Sequence, residues 1–137
     1  MRLSTRLAQL HAAVFDGPER WSEAAFSSSL DDPRCFFCIE DTEAALVGFA
    51  LGRIAADEAE LLTLAVAPEF QGCGWGRRLL EAFRLQARKR GAEVAFLEVS
   101  ADNAVARALY GSAGWRTVGK RAGYYEGIDA IAMRRDL

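Results

Sequence analysis

Apolar positions along this chain change period several times, and each change marks an element. Leu3, Leu7, Leu10 and Val14 recur at helical spacing, so residues 4–14 read as a first helix. Trp21-Ser22 opens a second. Ser22 is placed as its N-cap, and Trp21 and Phe26 occupy the two positions of a hydrophobic staple. This helix is expected to end near Leu30, before Asp31-Asp32-Pro33. Cys35 to Glu40 and Leu46 to Ile54 read as strands, Asp57-Glu58 as a turn, and Glu60 to Ala67 as a returning strand that Pro68 terminates. A helical pattern then runs to about Arg90, closed by Gly91, with Leu79, Leu80, Phe83 and Ala87 as its buried stripe. Val94 to Val99 is apolar except at Glu98, which suits a strand covered on both faces. Asn103 caps a short helix, Ala104 to Ala113, that Gly114 stops. Trp115 to Lys120 and Ile128 to Arg134 are the last two strands. The order ααβββαβαββ places a βαβ unit between antiparallel hairpins. The fold class is α/β (α+β), a mixed central sheet with helices on both faces.

The chain's 137 residues fit one domain, 1–137, and 51% hydrophobic residues suffice for a core. A net charge of -2 argues against a nucleic-acid partner. No apolar run reaches the ~20 residues of a membrane span, and no signal-peptide pattern follows Met1. The expected location is therefore the cytoplasm. Three cysteines make a poor disulfide framework. Cys35 and Cys38 lie on opposite faces of a strand, and neither Cys73 nor His11 has the spacing to complete a metal site, so no metal is expected.

The charged residues of the third helix are uneven: Arg77, Arg78, Arg84, Arg88, Lys89 and Arg90 face only Glu81. The first two abut the run Gln71-Gly72-Cys73-Gly74-Trp75-Gly76, which lies between a strand and that helix. Glycines let the backbone approach a ligand, and a helix N-terminus presents unpaired N–H groups at the positive end of its dipole. Together these define an anion site, most simply for phosphate. It is not a Walker A loop, because no Lys-Ser or Lys-Thr occurs. It is not a dinucleotide fingerprint either, because the required third glycine is Arg77.

The pattern Gln71-x-x-Gly74-x-Gly76 resembles the acetyl-CoA pyrophosphate loop of the GNAT acetyltransferases. Leu64 to Phe70, Leu97 to Asn103 and Ala108 to Trp115 are similar to the strands and helix that flank that loop in the family. Trp21-Ser22-Glu23, Tyr124-Tyr125 and Asp129-Ala130-Ile131 with Met133 resemble the branch that acetylates the N-terminal alanine of a small-subunit ribosomal protein. Such a protein N-terminus is the implied partner, and acetyl-CoA the implied co-substrate. The resemblance assigns Gln71, Gly72, Cys73, Gly74, Trp75, Gly76, Arg77 and Asn103 to the cofactor, and the backbone of Leu64, Ala65 and Val66 to its pantetheine arm. Two departures stand out. Gly72 and Cys73 replace larger polar or basic residues, and the stretch between Tyr125 and Asp129, which helps frame the acceptor groove, is short.

Acetyl transfer to an amine requires a neutral nucleophile, a stabilised oxyanion and a provision for the leaving thiolate. Glu98 is the candidate base, since it is the sole charge in a run otherwise built for burial, where desolvation raises a carboxyl pKa. A strand-end carboxylate in solvent is the plainer alternative. Asn103, Arg107 and Tyr110 share one helix face. On the residues alone Tyr110 is a packing tyrosine; the resemblance implies a proton donor. Cys73, beside arginines and a helix start, is expected to be sensitive to oxidation. Two other functions fit the same residues: acetylation of a small amine such as a polyamine or antibiotic, and acyl-CoA binding without catalysis.

Overall fold

The computed structural model describes residues 1–137. Helices are α1 (Leu3–Val14), α2 (Glu23–Asp31), α3 (Trp75–Lys89) and α4 (Ala104–Ser112). Strands are β1 (Cys35–Asp41), β2 (Leu46–Ala55), β3 (Glu58–Val66), β4 (Val94–Ser100), β5 (Arg116–Tyr125) and β6 (Ile128–Asp136). Short 3₁₀ turns at Gly17–Glu19 and Pro68–Phe70 complete the path.

The six strands form one sheet in the order β1-β2-β3-β4-β6-β5. All neighbours are antiparallel except β3 and β4, whose parallel register covers only Glu58↔Val94, Ala59↔Ala95 and Glu60↔Phe96. Beyond those pairs the two strands separate, and the sheet opens into a wedge-shaped gap. A bulge at Leu62 lies just past the point of separation: Leu51 pairs with Thr63 while Gly52 pairs with Leu61. The extra residue turns the remainder of β3 relative to its lower half.

One face of the sheet carries α3, whose Leu79, Leu80, Phe83 and Ala87 join Phe36, Leu61, Leu97 and Trp115 in the larger core. On the opposite face α1 and α2 bury Leu7, Leu10 and Phe26 against Phe49, Leu51 and Ala65. Helix termini follow their capping residues. Ser22 Oγ accepts the Ala25 N–H at 3.1 Å, and Asn103 Oδ1 accepts that of Ala106 at 3.1 Å. Trp21 and Phe26 form the expected staple, with ring centroids 5.4 Å apart.

Several boundaries differ from the sequence reading. The buried face of α1 is Ser4, Leu7, Leu10 and His11, while Leu3 is exposed and Val14 half-buried. Strand β3 starts at Glu58, so the hairpin turn is Ala56-Asp57 rather than Asp57-Glu58. Strand β5 continues to Tyr125, five residues past Lys120. It is an edge strand with a solvated surface, so no burial alternation marks its second half. In β4 only Ala95, Leu97 and Val99 meet the α3 core; Glu98 is exposed, so the strand is not covered on both faces.

Candidate active site

The gap between β3 and β4 deepens into a cleft of about 620 Å³ that crosses the molecule. Leu64, Val66, Gln71, Gly72, Gly74, Trp75, Gly76 and Arg77 line one end; Glu98, Asn103 and Tyr110 line its middle. Phe15, Pro18, Glu19, Trp21 and Tyr125 form the other end. The separation of the strands explains how β3 reaches this space, since its residues past Glu60 lack ladder partners on that side. Two predicted cofactor residues stand apart from the lining. The Ala65 side chain is buried with the α1–α2 core, and Cys73 is exposed, with its Sγ 3.6 Å from the Gln71 carbonyl.

At the phosphate-like end, Gly72 and Gly74 take φ of 76° and 89°, and a Cβ on either would meet nothing within 4 Å. Gly74 is the N-cap of α3 and makes no side-chain cap bond. Its carbonyl accepts from the Arg78 N–H, so the amides of Trp75, Gly76 and Arg77 precede the helix ladder and remain available. That open cradle of N–H groups suits a pyrophosphate. Gly76 has a different reason for being glycine: a Cβ there would lie 2.8 Å from Leu109 Cδ2, so it sets the approach of α4 to α3. Gln71 Nε2 donates to the Val66 carbonyl at 3.0 Å and ties the loop to the strand. Arg77 donates to the Ser112 carbonyl and Oγ at 3.2 and 2.6 Å, while Arg78 pairs with Glu40 at 3.3 Å. Both arginines therefore brace the loop's surroundings through protein partners.

In the middle, Tyr110 is 8% exposed. Burial, and then the neighbouring Tyr125, pushes its phenol up to about 12. No protein group bonds its hydroxyl, which opens on the cleft. Glu98 is held by Arg121 through two parallel hydrogen bonds, one of 3.0 Å from Nε. The guanidinium itself lies over the Tyr124 ring, 4.0 Å from its centroid. Glu98 is thus an ion-paired carboxylate at the cleft surface, and the desolvated site expected from its strand is absent. Asn103 uses Oδ1 to cap α4, which leaves its amide nitrogen for the cleft.

The remaining wall is built around a buried histidine. His11 is 1% exposed. The Trp21 N–H donates to its Nδ1 at 3.2 Å, so Nε2 carries the proton and donates to Thr63 Oγ1 at 2.9 Å. Phe15 stacks on the ring at 4.3 Å. Burial pushes the imidazole down to about 4. One neutral ring therefore fixes both the α1–α2 segment and the strand that faces it. Glu19 and Arg121 had no site signal in the sequence, whereas Trp21 and Tyr125 entered only through the family resemblance. Glu19 and Trp21 lie in a connecting segment, and Arg121 lies on the part of β5 that has no periodicity.

No group of three or more His, Cys, Asp or Glu is placed to hold a metal ion. Burial pushes the Cys38 thiol up to about 11, in keeping with an inert core cysteine. No helix is long and apolar enough to cross a membrane.

A partly split mixed sheet, with a helix N-terminus at one end of the split, defines the acetyltransferase class to which this chain belongs. It matches the Acetyltransferase (GNAT) family over residues 5–115 and is a member of it. Among its relatives is N-alpha-acetyltransferase RimI of Mycobacterium tuberculosis, 42% identical over 96% of this chain and 85% of the relative. The ribosomal protein bS18-alanine N-acetyltransferase of Escherichia coli is 38% identical over 80% of this chain and 73% of its own length. The crystal structure of the S18-alanine enzyme from Escherichia coli superposes with a TM-score of 0.82 at 34% identity, covering 97% of this chain and 85% of that one.

Proposed function

We propose that this protein moves the acetyl group of acetyl-CoA onto the α-amine of a protein N-terminus, with the alanine-led terminus of a small-subunit ribosomal protein as its acceptor. The observation that carries this reading is the cleft itself. It runs from an open helix N-terminus, past a free tyrosine hydroxyl, to an aromatic wall that bears a carboxylate. The two relatives that act at N-termini align across most of the chain and supply the acceptor class. A ribosomal acceptor puts the reaction in the cytoplasm.

Acetyl-CoA supplies a thioester carbonyl carbon and a thiolate leaving group. The amides of Gly72, Gly74, Trp75 and Gly76 hold its pyrophosphate, with Gln71 and Arg77 keeping the loop in shape. The backbone of Leu64 to Val66 and the Asn103 amide nitrogen hold its arm. In the reaction the amine nitrogen bonds to the carbonyl carbon, the C–S bond breaks, the proton that nitrogen loses goes to the base, and CoA leaves as a thiolate that solvent protonates. An α-amine has a pKa of about 7.7–8.0, so a weak base suffices to collect the proton it loses. Glu98 is that base, oriented by Arg121. Tyr110 serves as a hydrogen-bond donor. Its phenol sits at about 12. A thiol titrates near ~8.5, so full proton transfer from Tyr110 to the thiolate is uphill. A hydrogen bond to the sulfur stabilises the leaving charge without that transfer.

The test is to incubate the purified protein with labelled acetyl-CoA and ribosomal proteins of its own host, then identify the acetylated terminus by mass spectrometry. Label on the α-amine of one small-subunit protein supports the proposal. Turnover confined to small amines such as polyamines or antibiotics would replace the acceptor. Acetyl-CoA binding with no transfer to any amine would remove the catalytic assignment.

A further inference from the structure

The acceptor end of the cleft contains a carboxylate that nothing in the protein neutralises. Three charged residues line the cleft: Arg77 at the phosphate-like end, Glu98 in the middle and Glu19 at the far end. Arg77 is bonded to Ser112, and Glu98 to Arg121. Nearby acids also have partners. Asp16 pairs with Arg20 at 3.6 Å, Asp129 with Lys120 at 3.8 Å, and Asp102 accepts from Ser100 Oγ at 2.5 Å. Glu19 has no such partner, although the 3₁₀ turn Gly17–Glu19 and Pro18 hold it half-buried against the cleft. Burial pushes its carboxyl up, and the charges of Asp102, on the β4–α4 connection, and of Asp16 push it further. The same Glu19 charge, together with that of Glu98, bears on the Tyr125 phenol between them. An anion that faces like charges and lacks a counter-ion is a place where a cation is favoured.

We propose that Glu19 receives the ammonium group of the acceptor as it docks, holding it at the mouth of the cleft before Glu98 acts on it. An α-amine with a pKa near 7.7–8.0 arrives at neutral pH largely as a cation. Glu98 is already paired with Arg121, so it offers that cation little; Glu19 has no counter-ion and lines the cleft together with Trp21 and Tyr125. The assignment rests on the N-terminal acceptor proposed above. It makes Glu19 a positioning residue that selects for a free, charged amine, and assigns the proton transfer itself to Glu98.

The experiment compares Glu19→Gln with the parent, using an alanine-led peptide and the same peptide with its α-amine replaced by hydrogen. In the parent the amine peptide is expected to bind about tenfold more tightly, the lower range for a charge-assisted hydrogen bond. Glu19→Gln should weaken the amine peptide to the level of the des-amino peptide. It should leave the des-amino peptide and acetyl-CoA at their parental affinities, which also shows that the variant is folded. Equal weakening of both peptides, or weakening of neither, overturns the proposal. If the parent acetylates only a small amine, the protein-terminus reading has failed. Glu19 is then judged on that amine, and an unchanged KM in Glu19→Gln overturns it there too.

Discussion

Tyr110 and His11 are both buried polar residues, yet they make opposite uses of burial. Burial holds the proton on Tyr110 and keeps one off His11. For Tyr110 this yields a hydroxyl that always donates. Tyr110→Phe is expected to lower kcat about a hundredfold, the range for loss of one transition-state donor, while acetyl-CoA affinity stays near parental. Steady-state kinetics with a binding titration check it, and an unchanged kcat removes Tyr110 from the chemistry. For His11 the consequence is a pH dependence of stability. The folded imidazole takes a proton only near 4, whereas the unfolded chain takes one near 6.5. Above 6.5 both forms are neutral and the contribution is complete. As pH falls from there to 4 the unfolded chain gains a proton that the fold refuses, and stability is lost, by roughly 3 kcal/mol. Urea unfolding at pH 7.5 and 4 should show this loss in the parent and not in His11→Leu.

Two glycines separate strand requirements from helix requirements. At Gly48 in β2 a Cβ would lie 2.7 Å from the Ala65 carbonyl oxygen, an atom of the backbone ladder that cannot move aside. Gly48→Ala is expected to cost about 1–3 kcal/mol, read from the denaturant midpoint. At Gly76 the colliding atom is the end of the Leu109 side chain, which can turn, so Gly76→Ala should cost about 1 kcal/mol or less. If both variants cost the same, the distinction between backbone and side-chain contact is wrong. Elements with a chemical terminus were legible in the sequence: Ser22 and Asn103 are caps whose oxygens bond the helix amides as expected. What was not legible was the second half of β5 and the exposed side of β4. Their burial depends on which neighbours the sheet order supplies, and no local period encodes that. Arg121, and with it the ion pair that places Glu98 at the surface, was lost for that reason.

Over the whole molecule, the glycine loop at one end of the cleft was legible because the left-handed backbone at Gly72 and Gly74 and the close approach of Leu109 to Gly76 all call for glycine, within a stretch of a few positions. The proposed acceptor end draws on Glu19 and Trp21 from one part of the chain and Tyr125 from another, residues that only the fold brings together. A ligand in the gap touches both halves of the sheet, so it should stabilise the fold as a unit. At a hundredfold excess over Kd the gain is about 2.7 kcal/mol, or roughly 9 °C in Tm. A thermal scan with acetyl-CoA reads it directly, and no shift would mean that the ligand does not bind the folded cleft. The three registered pairs between β3 and β4 also have a mechanical meaning. The two half-sheets are lever arms on a short fulcrum at Glu58–Glu60 and Val94–Phe96. That fulcrum is pinned at its closed end, where the Glu93 N–H donates to the Asp57 carbonyl at 2.7 Å. Whatever wedges the arms apart works against that short seam, so the width of the site at the far end depends on how Glu58–Glu60 hold Val94–Phe96.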